Sequence, residues 1–378
     1  MSRIKRLLLC GLALGALLAG APAMVAASNA RHPEVGLGDD NTRMFSDPRF
    51  LALGIKAVRY DMHWDALSVT WEKNDLTSWL KAAHRDHLDV LITIDHTDKV
   101  IYKKVKVKVK VHGKWVVELK KKAFSQTRVL PTPAEYLAAF QAFRKRWPWV
   151  KEFVTWDETN YYGEATYDKE ALVAQYYKGM RRDCPSCTIL AAEFLDVPKH
   201  EAVPMTTWAK IFIKDLGYQP GYWGLNDYED VNYLQDSRTR SLLDAVSGKI
   251  WLAETGGIVN RPRDPHPGFP QNAAHAAKAD QYVLDTIGSL SPRIQRIYLY
   301  EWEAKTKHDS WDSALVSYTN APRQGYDVVA KVLDSWGILP DCAISRVPPT
   351  CTGIGGGGKP TTGASGTTGA SGATGATG

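Results

Sequence analysis

The chain has 378 residues, of which 44% are hydrophobic and 10% aromatic, and its formal net charge is +6. These values exclude a disordered or collagen-like chain as a whole, and the length suits one large domain. The charge is uneven because residues 103–122 hold nine lysines and one glutamate, so the remainder of the chain beyond its N-terminus is slightly acidic. A nucleic-acid partner, which needs a broad basic surface, is therefore not expected.

The N-terminus has the pattern of an export signal. Basic residues at 3, 5 and 6 precede an apolar run over 7–19, and small residues at 25–27 offer a cleavage site. This order of segments predicts a signal peptide over residues 1–27 and a secreted or cell-surface protein. An uncleaved signal that stays as an anchor is the alternative, and it is the single membrane contact that the sequence suggests.

Strand-like segments alternate with amphipathic helical segments along most of the remaining chain. This alternation predicts an α/β protein with a parallel sheet, and eight strands favour a closed (β/α)8 barrel over residues 28–340. No glycine-rich nucleotide-binding motif follows any strand, so we expect no nucleotide cofactor. The predicted strands are residues 34–38, 56–60, 89–94, 152–156, 188–192, 222–226, 249–253 and 294–300, and the clearest helices are 74–86, 132–147, 168–182, 271–289 and 324–336.

Three of these helices carry a predicted start signal. Asn74 precedes an acidic residue, Thr132 is followed three residues later by Glu135, and Asp168 precedes Glu170. Such residues hydrogen-bond to the free N–H groups of a first helical turn.

A lysine-rich insertion follows the third strand at residues 103–122. Valine and lysine alternate from Val105 to Val111, His112-Gly113 suits a turn, and Lys114 begins a returning apolar segment. The pattern predicts a β-hairpin with one apolar and one cationic face. It could bind an acidic polymer, or its lysines could simply protect strand edges from aggregation, and the sequence leaves both interpretations open.

Four cysteines remain once the predicted signal is removed. Their even number and proximity in an exported chain predict two disulfides, Cys184–Cys187 and Cys342–Cys351, the second closing residues 341–352. No further metal-ligating residues stand near either pair, so no metal is expected. The tail over residues 353–378 is rich in Gly, Thr, Ala and Ser and is predicted to be disordered.

Two glutamates stand directly after predicted strands. Glu158 follows the fourth strand in Trp156-Asp157-Glu158, and Glu254 follows the seventh in Trp-Leu-Ala-Glu-Thr-Gly. In a (β/α)8 barrel the strand ends meet at the face that carries the chemistry. Two carboxyl groups facing each other there are what a retaining glycoside hydrolase requires, one as acid/base and one as nucleophile.

The order of these motifs resembles the clan of (β/α)8 retaining glycoside hydrolases that includes the family 5 and family 39 type enzymes. The resemblance covers most of residues 34–336. It implies that Glu158 is the acid/base and Glu254 the nucleophile of a secreted enzyme that acts on a poly- or oligosaccharide. It also implies a group of residues that bind substrate or orient these glutamates: Arg59, Trp156, Asp157, Asn226, Tyr228 and Trp302.

Within this resemblance, Arg59 and Tyr228 would hold Glu254 by hydrogen bonds, and Trp302 would form an apolar floor under the sugar ring. Asp157 stands where such families have Asn, and Asn226 where they have His. These departures keep two other functions open, a catalytically impaired carbohydrate-binding barrel and a polyanion-binding surface protein. No organic cofactor is implied. Four further acidic residues near strand ends are expected mainly in polar networks at the rim, namely Asp95, Glu193, Glu301 and Glu303.

Overall fold

The structure is a computed structural model, and it describes residues 32–111, 113–262 and 268–339. The predicted signal peptide, the Cys342–Cys351 segment and the tail over 353–378 lie outside these residues. Among the described helices, none combines the length and the apolar character needed to cross a membrane.

A parallel sheet curls into a barrel at the centre of the molecule. Its strands are β1 (Glu34–Gly38), β2 (Ala57–His63), β3 (Asp89–Asp95), β6 (Glu152–Val154), β7 (Thr188–Leu190), β8 (Glu193–Leu195), β9 (Tyr222–Asn226), β10 (Lys249–Thr255) and β11 (Ile294–Tyr300). They follow the sheet order β7-β6-β3-β2-β1-β11-β10-β9-β8, and each neighbouring pair is parallel. The first strand pairs with both the second and the last, which confirms the predicted (β/α)8 fold.

The fifth barrel strand is broken into β7 and β8 by Ala191 and Ala192. On one side β7 pairs with β6, and on the other side β8 pairs with β9. The break itself carries hydrogen bonds to β9, from Ala191 N to Tyr222 O at 3.0 Å and from Gly224 N to Ala192 O at 2.8 Å. The two halves therefore close the barrel as one interrupted strand, and the interruption sets which side chains of β8 point inward.

Helices surround the barrel, and their first residues test the predicted start signals. Thr132 and Glu135 form the expected capping box, with Thr132 N donating to Glu135 at 2.8 Å. The other two signals are wrong: the second helix starts earlier, at Thr70, and Asp168 binds Lys169 instead of capping. The helices are α1 (Pro48–Ala52), α2 (Thr70–Arg85), α3 (Pro133–Arg146), α4 (Glu170–Asp183), α5 (Met205–Leu216), α6 (Tyr228–Asn232), α7 (Ser237–Ala245), α8 (Ala273–Asp285) and α9 (Gln324–Ser335).

Two buried layers hold the barrel together. The larger lies between the strands and the helices, and the smaller fills the barrel with side chains such as Leu91, Val154 and Trp251. Gly36 on β1 is required inside, because a Cβ there would stand 2.5 Å from the ring of Tyr298. Strands covered on both faces explain the nearly continuous apolar runs in the sequence.

The lysine-rich insertion is a long antiparallel ribbon of β4 (Thr97–Val111) and β5 (Lys114–Val129). It extends beyond the predicted residues 103–122 at both ends. The predicted separation into one apolar and one cationic face is wrong, because the register pairs lysines of β4 with apolar residues of β5. Lys110 lies opposite Trp115, Lys108 opposite Val117, and Lys106 opposite Leu119.

The Cys184–Cys187 disulfide is present at the end of α4. Both cysteines are buried, and Arg181 Nη1 donates to Cys187 O at 2.7 Å. The bond fastens the turn from α4 into β7, in agreement with a local structural role.

Candidate active site

Arg59 is the centre of the polar cluster at the C-terminal ends of the strands. Its side chain points into the barrel from β2 and is only 1% exposed. The guanidinium donates to Glu254 Oε2 at 2.5 Å, Asp61 Oδ2 at 2.8 Å and Glu193 Oε1 at 2.8 Å, and it lies 3.4 Å from Asp157 Oδ1. One buried cation therefore faces four carboxyl groups from four strands or strand ends.

Glu254 stands at the end of β10 and is held from two sides. Arg59 donates to its Oε2, and the hydroxyl of Tyr228 donates to its Oε1 at 2.9 Å. Arg59 and Tyr228 thus hydrogen-bond to Glu254, as the resemblance implied. Two fixed donors suit an ionised carboxylate and fix its orientation.

Glu158 belongs to the loop that follows β6, and its backbone is unusual. Its φ is +35°, in the left-handed region that residues with a side chain seldom adopt. Strained backbone of this kind concentrates at functional sites, where it aims a side chain. Burial raises the pKa of Glu158 well above its usual range, and the nearby charge of Glu254 raises it further. Burial and the charge of Glu254 thus both favour the protonated form of Glu158.

Asp157 and Glu193 form a carboxyl pair beneath these two groups. Glu193 is fully buried at the start of β8, where Thr93 Oγ1 donates to it at 3.3 Å. Burial and then the charge of Glu193 raise the pKa of Asp157 well above its usual range. Burial also raises the pKa of Glu193, although Arg59 and hydrogen bonds from Asp157 and Asn226 act in the opposite direction.

The raised pKa of Asp157 bears on its departure from the Asn that the resemblance leads one to expect. An ionised Asp would lack the hydrogen-bond donor of Asn, and the raised pKa favours the protonated form instead. A neutral carboxylic acid has an O–H and can donate as an amide does. Asn226, at the end of β9, faces Glu193 rather than the open cleft and is fully buried.

Two tryptophans predicted to bind substrate do not reach the cleft. Trp156 is fully buried and stacks on Tyr176, with ring centroids 5.8 Å apart. Trp302 is 1% exposed and packs edge-on against Phe50 at 5.8 Å. Both predictions are wrong for the same reason, because each ring lies in the layer between strands and helices.

Two other aromatic residues, Trp311 and Tyr300, lie near Tyr228 and Glu254. Trp311 is partly exposed and packs edge-on against Tyr228 at 4.6 Å, with the guanidinium of Arg261 over its ring at 5.3 Å. Tyr300, at the end of β11, is partly exposed as well, and Glu254 is among the charges that, after burial, raise the pKa of its hydroxyl. Flat rings next to a carboxylate suit the apolar face of a sugar.

An open cavity of about 750 Å³ continues the cleft over β2 and the start of α2. Asp61 joins the cavity to the site, since it lines the wall and binds Arg59. Trp71, 63% exposed, lies at its edge. The sequence analysis missed Asp61, although its position two residues after Arg59 on one strand places both on the same face. The lining also includes Asp40, Tyr60, His63, Glu72, Asp75, Asp95 and Lys305.

His96, Asp95 and Glu164 form an ionic network on the other side of Glu158. The Nδ1 of His96 lies 2.6 Å from Asp95 Oδ1 and 2.8 Å from Glu164 Oε2, and Arg128 also binds Glu164. Burial alone would lower the pKa of His96, but hydrogen bonds to both carboxylates outweigh it and raise the pKa to about 9. These three residues are of metal-ligating types and lie within 4.8 Å of one another.

The remaining acidic residues near strand ends occupy different surroundings. Asp95 lines the cavity, Glu193 accepts a hydrogen bond from Arg59, and Glu303 forms an ion pair with Arg43 at 3.2 Å. Glu301 is buried, and burial raises its pKa to about 8. The prediction of polar networks at the rim agrees with the surroundings of Glu303 but not with those of Glu193, which lies in the floor of the site.

The comparisons with known proteins bear on the fold. No family model matches the chain, and no curated protein matches it in sequence. Solved structures do match. Xylanase B from Clostridium stercorarium F9 is 10% identical with a TM-score of 0.54, over 79% of this chain and 96% of that one. Xylanase 10B from Thermotoga maritima is 11% identical with a TM-score of 0.50, over 82% and 97%.

A family 39 glycoside hydrolase from Bacteroides cellulosilyticus WH2 is 14% identical with a TM-score of 0.49, over 81% of this chain but only 64% of that longer protein. The two xylanase structures show that the chain has a TIM-barrel fold, as the alternation of predicted strands and helices led us to expect. At such low identity the likeness concerns the fold.

Proposed function

We propose that the protein is a secreted retaining glycoside hydrolase that cleaves a poly- or oligosaccharide. The observation that carries the proposal is the contrast between the two strand-end glutamates: burial and the charge of Glu254 raise the pKa of Glu158, whereas Glu254 receives hydrogen bonds from Arg59 and Tyr228. When the surroundings of one carboxyl group favour its protonated form and those of the other favour the carboxylate, the first suits the acid and the second suits the nucleophile. The fold, which is found in xylanases, supports a carbohydrate substrate.

The reaction uses the two glutamates in turn. Glu254 attacks the anomeric carbon and forms a glycosyl ester, while Glu158 gives its proton to the departing glycosidic oxygen. Glu158 then takes a proton from water, the resulting hydroxide attacks the same carbon, and Glu254 leaves as a carboxylate. Two inversions give net retention, and neither step requires a redox partner. Arg59 and Tyr228 orient Glu254 throughout.

The test begins with a panel of plant and microbial polysaccharides and aryl glycosides of several sugars. We expect turnover of at least one of them, with proton NMR showing that the first product keeps the anomeric configuration. Glu158→Gln and Glu254→Gln should each lower kcat by several orders of magnitude and leave the circular dichroism spectrum unchanged. Unaffected turnover in both variants, or an inverted product, would refute the proposal.

The roles of the two glutamates can be separated with azide. In Glu158→Ala, azide should restore turnover of a glycoside with a good leaving group and give a glycosyl azide with retained configuration, because the glycosyl enzyme still forms. In Glu254→Ala, azide should replace the missing nucleophile and give the inverted glycosyl azide. The same product from both variants would contradict the assignment.

A carbohydrate-binding barrel without turnover is the second candidate function. Asp157 and Asn226 favour it, since both depart from the residues that such enzymes have at these positions. Saturable glycan binding with no product over the whole panel would support this function. Secretion is part of the first proposal, and N-terminal sequencing of the exported protein tests it: we expect a mature chain that begins near Ser28.

A further inference from the structure

The ribbon of β4 and β5 leaves the barrel at the same face as the candidate active site. Its first strand starts at Thr97, two residues after Asp95 at the end of β3. Near its base, Arg128 of β5 binds Glu164, and the charge of Glu164 contributes to the raised pKa of Glu158 after burial and Glu254. A polymer bound along the ribbon would therefore have one end close to the candidate active site.

One face of the ribbon carries a regular row of positive charges. We call Lys104, Lys106, Lys108, Lys110 and Lys121 the lysine column. The first four alternate along β4 and are exposed, and Lys121 is paired with Lys104 across the ribbon. Alternate residues of a strand lie roughly 6.6–6.8 Å apart, so the charges are evenly spaced. Glu118 pairs with Val107 and so lies on the opposite face, where Lys120 is 3.7 Å from it.

Apolar side chains stand beside the lysine column on the same face. Trp115 is 68% exposed, Val117 59% and Leu119 64%. The Nζ of Lys110 lies 6.0 Å from the centre of the Trp115 ring. An exposed ring next to a row of ammonium groups can contact the flat face of a sugar while the lysines bind its acidic substituents.

Other partners fit this surface less well. A membrane-surface element needs one continuous apolar face, whereas the register of the ribbon puts lysines and apolar side chains together on each face. A second copy of the chain would bring one lysine column against another and meet like-charge repulsion. A polymer of alternating sugar rings and carboxylate groups matches both features of the face, the charges and the ring.

We propose that the lysine column is a docking surface for an acidic polysaccharide, which holds the protein on that polymer beside the candidate active site. This docking goes beyond the proposed hydrolysis and does not depend on it. The cavity next to Arg59 is lined by carboxylates, among them Asp61, Glu72 and Asp75. These would repel a polyanion, so the docked segment and the cleaved bond belong to different parts of the material.

The experiment measures retention of the full chain on immobilised polygalacturonate, with uncharged dextran as the reference. A variant with Lys104, Lys106, Lys108 and Lys110 replaced by Gln should bind about tenfold more weakly or worse at low salt, because several exposed ion pairs are lost together. Wild-type binding should fall steeply with added salt. Trp115→Ser should weaken binding with little change in this salt dependence.

The matched control replaces four exposed helical lysines by Gln: Lys81, Lys145, Lys210 and Lys278. It changes the net charge equally and should retain binding within about twofold. Thermal unfolding checks that both variants are folded. Unchanged retention in the ribbon variant, or an equal loss in the control, overturns the proposal. So does tighter, lysine-dependent binding to phosphatidylglycerol vesicles than to polygalacturonate.

Failure of the proposed hydrolase function can be distinguished from failure of the docking proposal. A wild-type protein that cleaves no glycoside but is retained through the lysine column leaves the docking proposal intact. A protein that turns over an aryl glycoside equally well in wild-type and ribbon-variant form, with equal retention of both on polygalacturonate, supports hydrolysis and refutes docking.

Discussion

Arg59 Nη1 lies 2.5 Å from Glu254 Oε2 and joins the second barrel strand to the seventh through the centre of the site. The same guanidinium also binds Asp61 and Glu193. Its planar set of donors is what allows one side chain to orient several carboxylates, and a lysine has only a point charge to offer.

Arg59→Lys should therefore lower kcat by on the order of 100-fold, because Glu254 loses a fixed donor while the charge is kept. Steady-state kinetics on any substrate found measures this. The control is Arg296→Lys at the opposite end of the barrel, where Arg296 binds Glu34 and Glu152. The control should lower the unfolding temperature without changing kcat, and an equal loss of kcat would contradict a specific role for Arg59.

Glu193→Gln tests whether the buried carboxyl pair sets the protonation of the acid. After burial and other acidic neighbours, the charge of Glu193 contributes to the raised pKa of Glu158. Gln keeps the shape and removes this charge, so Glu158 should lose its proton at a lower pH. We expect the alkaline limb of the kcat/KM profile to move to lower pH. Glu152→Gln, at the far end of the barrel, should leave the limb in place, and an unmoved limb in Glu193→Gln would rule out this role.

Trp311→Ala and Trp302→Phe should have opposite consequences. Trp311 is partly exposed beside Tyr228, so its removal should raise KM by about tenfold with little loss of stability. Trp302 is buried against Phe50, so the smaller ring should leave a cavity and cost roughly 1–3 kcal/mol of unfolding free energy with KM unchanged. Kinetics and chemical denaturation of both variants measure this, and a higher KM in Trp302→Phe alone would reverse the assignment.

The stability of the protein should fall as the pH rises from about 5 to 8. Burial raises the pKa of Asp39 and Asp280 to about 7 and that of Glu301 to about 8. These groups keep protons in the folded chain that the unfolded chain releases near pH 4, so folding is disfavoured progressively as pH rises toward their folded pKa values. His96, with a pKa of about 9, acts in the same direction, since its stabilisation is complete below its unfolded pKa of about 6.5 and is lost as pH rises through 9.

We expect the unfolding temperature to be at least about 5 °C higher at pH 5 than at pH 8. Asp280→Asn is the control, because Asp280 accepts from Gly257 N at 2.8 Å in a buried position on α8, and an amide there does not titrate. The variant should show a smaller pH dependence. Calorimetry at several pH values measures both, and an unfolding temperature that rises toward pH 8 would show that other groups dominate.

The barrel was predictable because its signals are local. Each strand is a short apolar run covered on both faces, and each of the eight predicted segments overlaps a strand of the structure. The predicted ends are less accurate: three strands run one to three residues further, and the second half of the fifth strand, β8, lies beyond the predicted 188–192. The positions of Glu158 and Glu254 followed from the rule that strand ends meet at one face. Tyr228 binds Glu254 from just beyond the end of β9, and Arg59 reaches it from the middle of β2 because its side chain is long and points into the barrel.

What the sequence could not predict depends on geometry beyond a single strand. Trp156 and Trp302 follow strand ends, where the loop backbone decides which way a ring points. Glu193 points inward under Arg59 only because the fifth strand breaks at the two alanines before it. The faces of the ribbon depend on which residues pair across its two strands. Neither the ring directions, nor the strand break, nor the cross-strand pairing produces a periodic pattern in the sequence.

The left-handed backbone at Glu158 has a consequence for how such a barrel changes over time. A residue with a side chain costs about 1–2 kcal/mol in that conformation, whereas glycine adopts it freely. Exchange of Glu158 for glycine would also remove a carboxyl group crowded by other carboxyl groups. Under the proposed function, stability and catalysis are thus opposed at this one position, and a descendant barrel that only bound carbohydrate would gain stability from glycine there.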